Sequence, residues 1–131
     1  MKTNALNFGL LFLRLGISIG MLTHGYGKFM KILAGDFSFG DPIGIGPTAS
    51  LILCTIAEFI APLFLIAGWK TRWFALLAAL NMLVAFIIAH DGDPFGKKEK
   101  SFLYLITFIF IYFLVIIYSK SLVCNSSLSL K

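Results

Sequence analysis

Fifteen residues, Arg14 to Lys28 (RLGISIGMLTHGYGK), set an arginine, a histidine and a lysine on an otherwise apolar run. Such side chains hold anions, relay protons and donate hydrogen bonds, and in hydrocarbon each is costly unless paired or wetted. At about 100° per residue, Arg14, Ser18, Met21, Gly25 and Lys28 share one helical stripe, with His24 at its edge. Glu58, in CTIAEFIAP, is the one acidic residue deep within an apolar stretch. The expectation is a structural ion pair between Arg14 and Glu58 at matching depth in adjacent helices, since either alone would be an uncompensated charge. The alternative is that the pair flanks a proton or quinone pathway. Pro62 cannot donate to the Glu58 carbonyl and is expected to bend its helix there.

A second group forms around His24 and Lys28. His90 closes a later apolar run, Glu99 follows, and Tyr104 opens the last one, so these five residues are expected to meet at one mouth of a bundle. The competing reading makes His24 and Lys28 a snorkelling helix end. Two histidines with carboxylates raise the question of a metal, but their spacing is non-local and matches no ligand signature, so none is assigned. A polar mouth above apolar walls suits a quinone headgroup, whose carbonyls need donors and whose tail needs lipid-like surroundings. His24, Lys28, His90 and Tyr104 are therefore the candidate catalytic and quinone-binding residues. Cys54 and Cys124 lie far apart with no CxxC, which gives neither a thiol relay nor a disulfide any support and leaves their roles unassigned.

The composition says what must position these groups. Of the 131 residues 59% are hydrophobic and 13% charged, with a mean hydropathy of +0.92. Soluble domains hold roughly 25% charged residues, so the chain belongs to the membrane class. The net charge of +5 comes from basic residues at segment ends, which is the pattern of membrane flanks and excludes a nucleic-acid groove. MKTNALNFGLLFL resembles a short signal peptide, but no small-x-small site follows and Arg14 interrupts it, so an uncleaved first span is expected.

Four stretches are long enough to cross hydrocarbon as helices, at about residues 5–30, 47–67, 72–89 and 101–118. The expected architecture is an all-α, antiparallel four-helix bundle in the membrane, forming one domain over residues 1–131. Pro47 and Thr48 supply a helix start, Gly68 a stop, and GWKT a tight turn. Lys31 to Gly46 is a glycine-rich loop, His90 to Lys100 a polar turn, and the tail from Ser119 is read as loosely held. Glycines 16, 20, 25 and 27 are expected to let neighbouring helices approach. Asn81, mid-span, is expected to make an interhelical hydrogen bond. Five basic residues on each side leave the positive-inside rule tied, and the lack of acidic residues beside the termini places them in the cytoplasm.

Taken together these pieces resemble the DoxX/DoxD-like family of small four-helix membrane proteins. RLGISIGMLTHGYGK is similar to the family's Arg-x-Gly opening and His-Gly-x-x-Lys close. AEFIAPLFLIAGWKTR is similar to its central Glu and Gly-x-x-Thr-Arg turn. NMLVAFIIAH and EKSFLYL resemble the ends of its third and fourth helices. The likeness runs from about Arg14 to Tyr118, and the ending YSKSLVCNSSLSLK departs from the family's Gly-Pro-Gly turn and Ser-Leu-Asp close. The resemblance implies a bacterial inner-membrane component of a quinone-linked oxidoreductase or of a respiratory or oxidative-stress complex. Members are linked to thiosulfate:quinone oxidoreductases, terminal oxidases and oxidative-stress enzymes. The sequence carries no haem, flavin or nicotinamide signature, so the redox group expected is a diffusible quinone or one held by a partner. The alternatives are a non-catalytic assembly subunit of a larger membrane complex and a small-solute or proton pathway in a homo-oligomer.

Overall fold

The computed structural model describes the backbone of residues 2–128 and the side chains of residues 4–119. Four helices are present and, among the described residues, no strand: α1 (Lys2–Leu33), α2 (Pro47–Ala67), α3 (Thr71–Ala89) and α4 (Phe95–Leu128). Each contains an apolar stretch long enough to cross a membrane. Consecutive helices pack side by side, α3 against α4 most extensively, and α4 returns to touch α1.

Two helices outrun their sequence-based limits, α1 (Lys2–Leu33) by three residues at each end and α4 by more. The fourth begins at Phe95 rather than near 101, because Pro94 is suited to a helix start and its carbonyl accepts the Lys97 amide at 2.9 Å. It continues past Tyr118 to Leu128, so the tail expected to be loose is helical through that residue, while the Cys124 side chain lies outside the described residues. Leucine, lysine and serine there include neither Gly nor Pro to stop it.

The core is a seam between α3 and α4. Ala75, Ala78, Ala79 and Met82 recur at helical spacing along α3, and the small alanines admit Phe108 and Ile111 of α4, both fully buried. Met21 and Leu65 bring α1 and α2 into the same cluster. Phe110, Phe113 and Ile117 point outward, as expected where the solvent is lipid.

Of the four expected glycine approaches, two are real. A Cβ on Gly25 would stand 2.7 Å from the Phe59 amide nitrogen, so α1 and α2 touch backbone to backbone there. One on Gly20 would stand 2.7 Å from the Tyr104 hydroxyl, whereas Gly16 and Gly27 face open space. The α2–α3 turn closes as a Schellman motif. Gly68 is left-handed (φ 79°), its amide bonds the Leu65 carbonyl and the Trp69 amide bonds the Phe64 carbonyl.

Candidate functional site

Within α2 the residues Ile56–Ile60 form a π-turn, with the Ala61 amide reaching back five residues to Ile56. Pro62 gives the reason: lacking an N–H, it leaves the carbonyl four residues earlier without its normal donor, and the ladder slips by one. Glu58 sits in that wider turn, 4% exposed, and Gly25 packs on its backbone. The last residues of α3, Ala85–Ala89, make a second π-turn. Both turns line one cavity.

Three donors converge on the Glu58 carboxylate. Lys28 Nζ forms a salt bridge with Oε2. Asn81 Nδ2 donates to Oε1 at 3.0 Å, and the Cys54 thiol donates to the same oxygen at 3.1 Å. The expected interhelical hydrogen bond of Asn81 is therefore present, with Glu58 as its acceptor. Cys54 stands four residues before Glu58, the spacing that puts two side chains on one helix face, and only that spacing hinted at it.

The partner expected for Glu58 was Arg14, and here the structure corrects the sequence reading: the ion pair is Lys28–Glu58. The register decides it. The antiparallel pair α1–α2 sets Gly25 against Glu58 and Arg14 against Gly68, so Arg14 is level with the far end of α2. Ten residues of helix, about 15 Å of rise, separate Gly68 from Glu58. Helical side chains also lean towards the N-terminus, which tilts Lys28 inward to Glu58 and Arg14 away from it. Lys28 is thus neither a snorkelling end nor a mouth residue alone. Its ammonium neutralises a carboxylate at mid-membrane depth.

The cavity beside this network measures about 520 Å³. His24, Lys28, His90 and Tyr104 all line it, as do Cys54, Glu58 and Asn81; Glu99 does not, and is exposed. His24 meets Tyr104 edge to face, ring centres 5.7 Å apart. Neither side chain has a hydrogen-bond partner among the described residues. Gly20 is what lets the Tyr104 hydroxyl reach α1. The remaining wall is apolar, with Met21, Leu77, Leu80 and Val84 among its members.

Sequence reading missed the roof and the rim. Phe39, Pro42 and Ile43 of the glycine-rich loop reach the cavity, and Lys97, Lys100 and Ser101 line it from α4. Loop geometry is fixed by Asp41, whose carboxylate accepts the amides of Ile45 and Gly46 (3.0 and 2.8 Å) and the Ser50 hydroxyl (2.9 Å). The Gly46 amide foremost holds the Asp41 carboxyl below the usual carboxylate range. At the rim, His90 Nδ1 lies 3.1 Å from Asp93, which also faces Lys97 at 3.5 Å. The hydrogen bond with His90 is the main reason the Asp93 carboxyl is held low. No group of three His, Cys, Asp or Glu side chains is gathered for a metal among the described residues.

No solved structure matches the chain. An uncharacterised protein of Haemophilus influenzae is 26% identical over 115 residues, covering 79% of this chain and 81% of the relative. The DoxX family model matches residues 9–91, a stretch holding Arg14, Lys28, Glu58, Asn81 and His90. With more than half its length matched, and with four helices able to span a membrane, the chain belongs to the DoxX family of multi-pass membrane proteins.

Proposed function

We propose that the chain binds a quinone in the cavity beside Glu58 and serves as the membrane-embedded part of a quinone-linked oxidoreductase. The observation that carries this reading is one cavity with two kinds of wall. Its volume falls within the roughly 300–1,000 Å³ of small-molecule sites, its walls are largely apolar, and at one edge stand unengaged donors. Tyr104 Oη and a ring nitrogen of His24 are placed to donate to carbonyl oxygens. Lys28 spends one of its three N–H groups on Glu58 and keeps the others for the cavity. A fixed ammonium there stabilises negative charge as it develops on a ligand oxygen.

A bound quinone supplies two-electron, two-proton chemistry. The chain's own part is to hold the headgroup, exclude water and present protons at Tyr104 Oη and the His24 ring. Electrons come from a partner's donor, because no redox-cofactor signature occurs in the sequence. We place the chain in the bacterial inner membrane with cytoplasmic termini. With Arg14 at the level of the α2–α3 turn and Lys28 taken up in the membrane, the basic residues no longer balance, and the excess lies on the side of the termini.

Titration of the detergent-solubilised protein with a short-tailed quinone tests the site. His24→Ala and Tyr104→Phe should each weaken binding about tenfold, the scale of one lost hydrogen bond. Binding unchanged in both variants, or no binding to the wild type, defeats the proposal.

A further inference from the structure

At the opposite end of the bundle, we propose a second site, which takes the phosphate group of an anionic phospholipid. It is a notch of about 380 Å³ between the α2–α3 turn and α4, lined by Gly68, Lys70, Thr71 and Arg72 on one side and by Val115 and Ile116 on the other. Two cations stand on its rim, and a third adjoins it. Gly68 lines the notch and also abuts Arg14, since a Cβ there would lie 3.3 Å from the guanidinium Nη2. Arg14 Nε is fully buried without a hydrogen-bond partner, and Arg14 forms no salt bridge among the described residues. Its terminal nitrogens, which stand beside Gly68 at the edge of the notch, have no acceptor among the described residues and can meet an anion there.

Among the described residues none is supplied at this end. Its six acidic residues are Asp36, Asp41, Glu58, Asp91, Asp93 and Glu99. Five belong to the loops and helix start at the cavity end, and the sixth is engaged by Lys28. Helix α3 starts here with no side-chain cap, Lys70 being left-handed (φ 44°), so its first amides are open to an acceptor. An anion from outside the chain fits this end.

Its source follows from depth. Twenty-one residues of α2 rise about 30 Å, one hydrocarbon thickness, which puts the Gly68–Lys70 turn at the membrane surface. Trp69 and Trp73, 53% and 57% exposed, flank the turn as interfacial tryptophans do, each beneath a neighbouring cation (Lys70 at 5.0 Å, Arg72 at 4.7 Å). A lipid phosphate resides at that level, and Val115 and Ile116 offer apolar surface to its chains. Three cations without a carboxylate favour a headgroup of net negative charge over a zwitterion that brings its own ammonium.

The test is thermal unfolding of the full chain in neutral detergent, titrated with phosphatidylglycerol, phosphatidylcholine or inorganic phosphate. Phosphatidylglycerol should raise the midpoint saturably and phosphatidylcholine should not. Lys70→Gln and Arg72→Gln, both exposed positions, should each weaken the apparent lipid affinity about fivefold. Lys98→Gln, an equal charge loss at the cavity end, should leave it unchanged. The proposal is overturned if phosphatidylcholine stabilises as well, or if Lys98→Gln weakens the response as much as Arg72→Gln. Saturable stabilisation by inorganic phosphate alone overturns the assignment to lipid.

Discussion

Lys28 and Arg14 lie on one stripe of one helix, yet the fold gives them different surroundings. Lys28 meets a carboxylate at mid-depth, inside a network that also engages Asn81 and Cys54. Arg14 meets a glycine at the end of α2 and, among the described residues, no acid. Charge and spacing are alike in the two cases. What differs is the level at which each side chain meets its neighbour, and that level is set by how the α1–α2 hairpin is registered. The first cation is made tolerable by the protein, the second by whatever lies at the membrane surface.

The largest test of this contrast removes each partnership in turn. Glu58→Gln leaves Lys28 as an uncompensated charge at mid-membrane and should destabilise the protein by about 3–5 kcal/mol. Arg14→Gln removes a cation that has no partner among the described residues and should cost about 1 kcal/mol. Chemical unfolding in micelles measures both. Replacing Lys28 and Glu58 together by Met and Leu should recover much of the larger loss, because an apolar pair has no charge to desolvate. Equal losses at positions 58 and 14 would mean that the two ends are not different in kind.

A middle-sized effect separates the glycines on the same helix. Gly25→Ala forces a methyl against the Glu58–Phe59 backbone, which has no flexible end to move aside. It should cost about 1–3 kcal/mol and disturb quinone binding by shifting Glu58. Gly16→Ala meets nothing within 4 Å and should be neutral or gain up to about 1 kcal/mol from helix propensity. The same unfolding assay reads the two side by side.

How much of this could be read from the sequence follows from what each feature depends on. Four spans were legible because length and hydropathy are local, and Pro47 and Gly68 mark their ends through backbone geometry alone. The gathering of His24, Lys28, His90 and Tyr104 at one cavity was legible because alternating helices fix which ends share a side. The partner of Glu58 was not. A first span of about residues 5–30 sets Arg14 inside the bundle, but Arg14 is level with the end of α2, so the residues before it extend beyond that level. The π-turn was half legible: Pro62 announced a free carbonyl, but a bend and a slipped ladder both answer it, and the sequence does not choose between them.

The smallest effect concerns how the helices begin at the two ends. Asp41 ties the loop to the first turn of α2 by accepting the Ile45 and Gly46 amides and the Ser50 hydroxyl, whereas no carboxylate does so at the start of α3 among the described residues. Those hydrogen bonds favour the charged carboxylate, so its folded pKa lies below the ordinary 3.8. A group so lowered contributes stability that is present above its unfolded pKa and lost as pH falls through the folded one. Asp41→Asn should therefore lower the unfolding midpoint by a degree or so at neutral pH, about the shift of one weakened exposed hydrogen bond. The gap from wild type should narrow below about pH 4, where the wild-type carboxyl also takes up its proton. Lys70→Gln, made at the uncapped start of α3, should show no such pH-dependent gap between pH 3 and pH 6, because no carboxylate titrates beside it. If its gap narrows in acid as that of Asp41→Asn does, the pH dependence does not come from the Asp41 carboxylate.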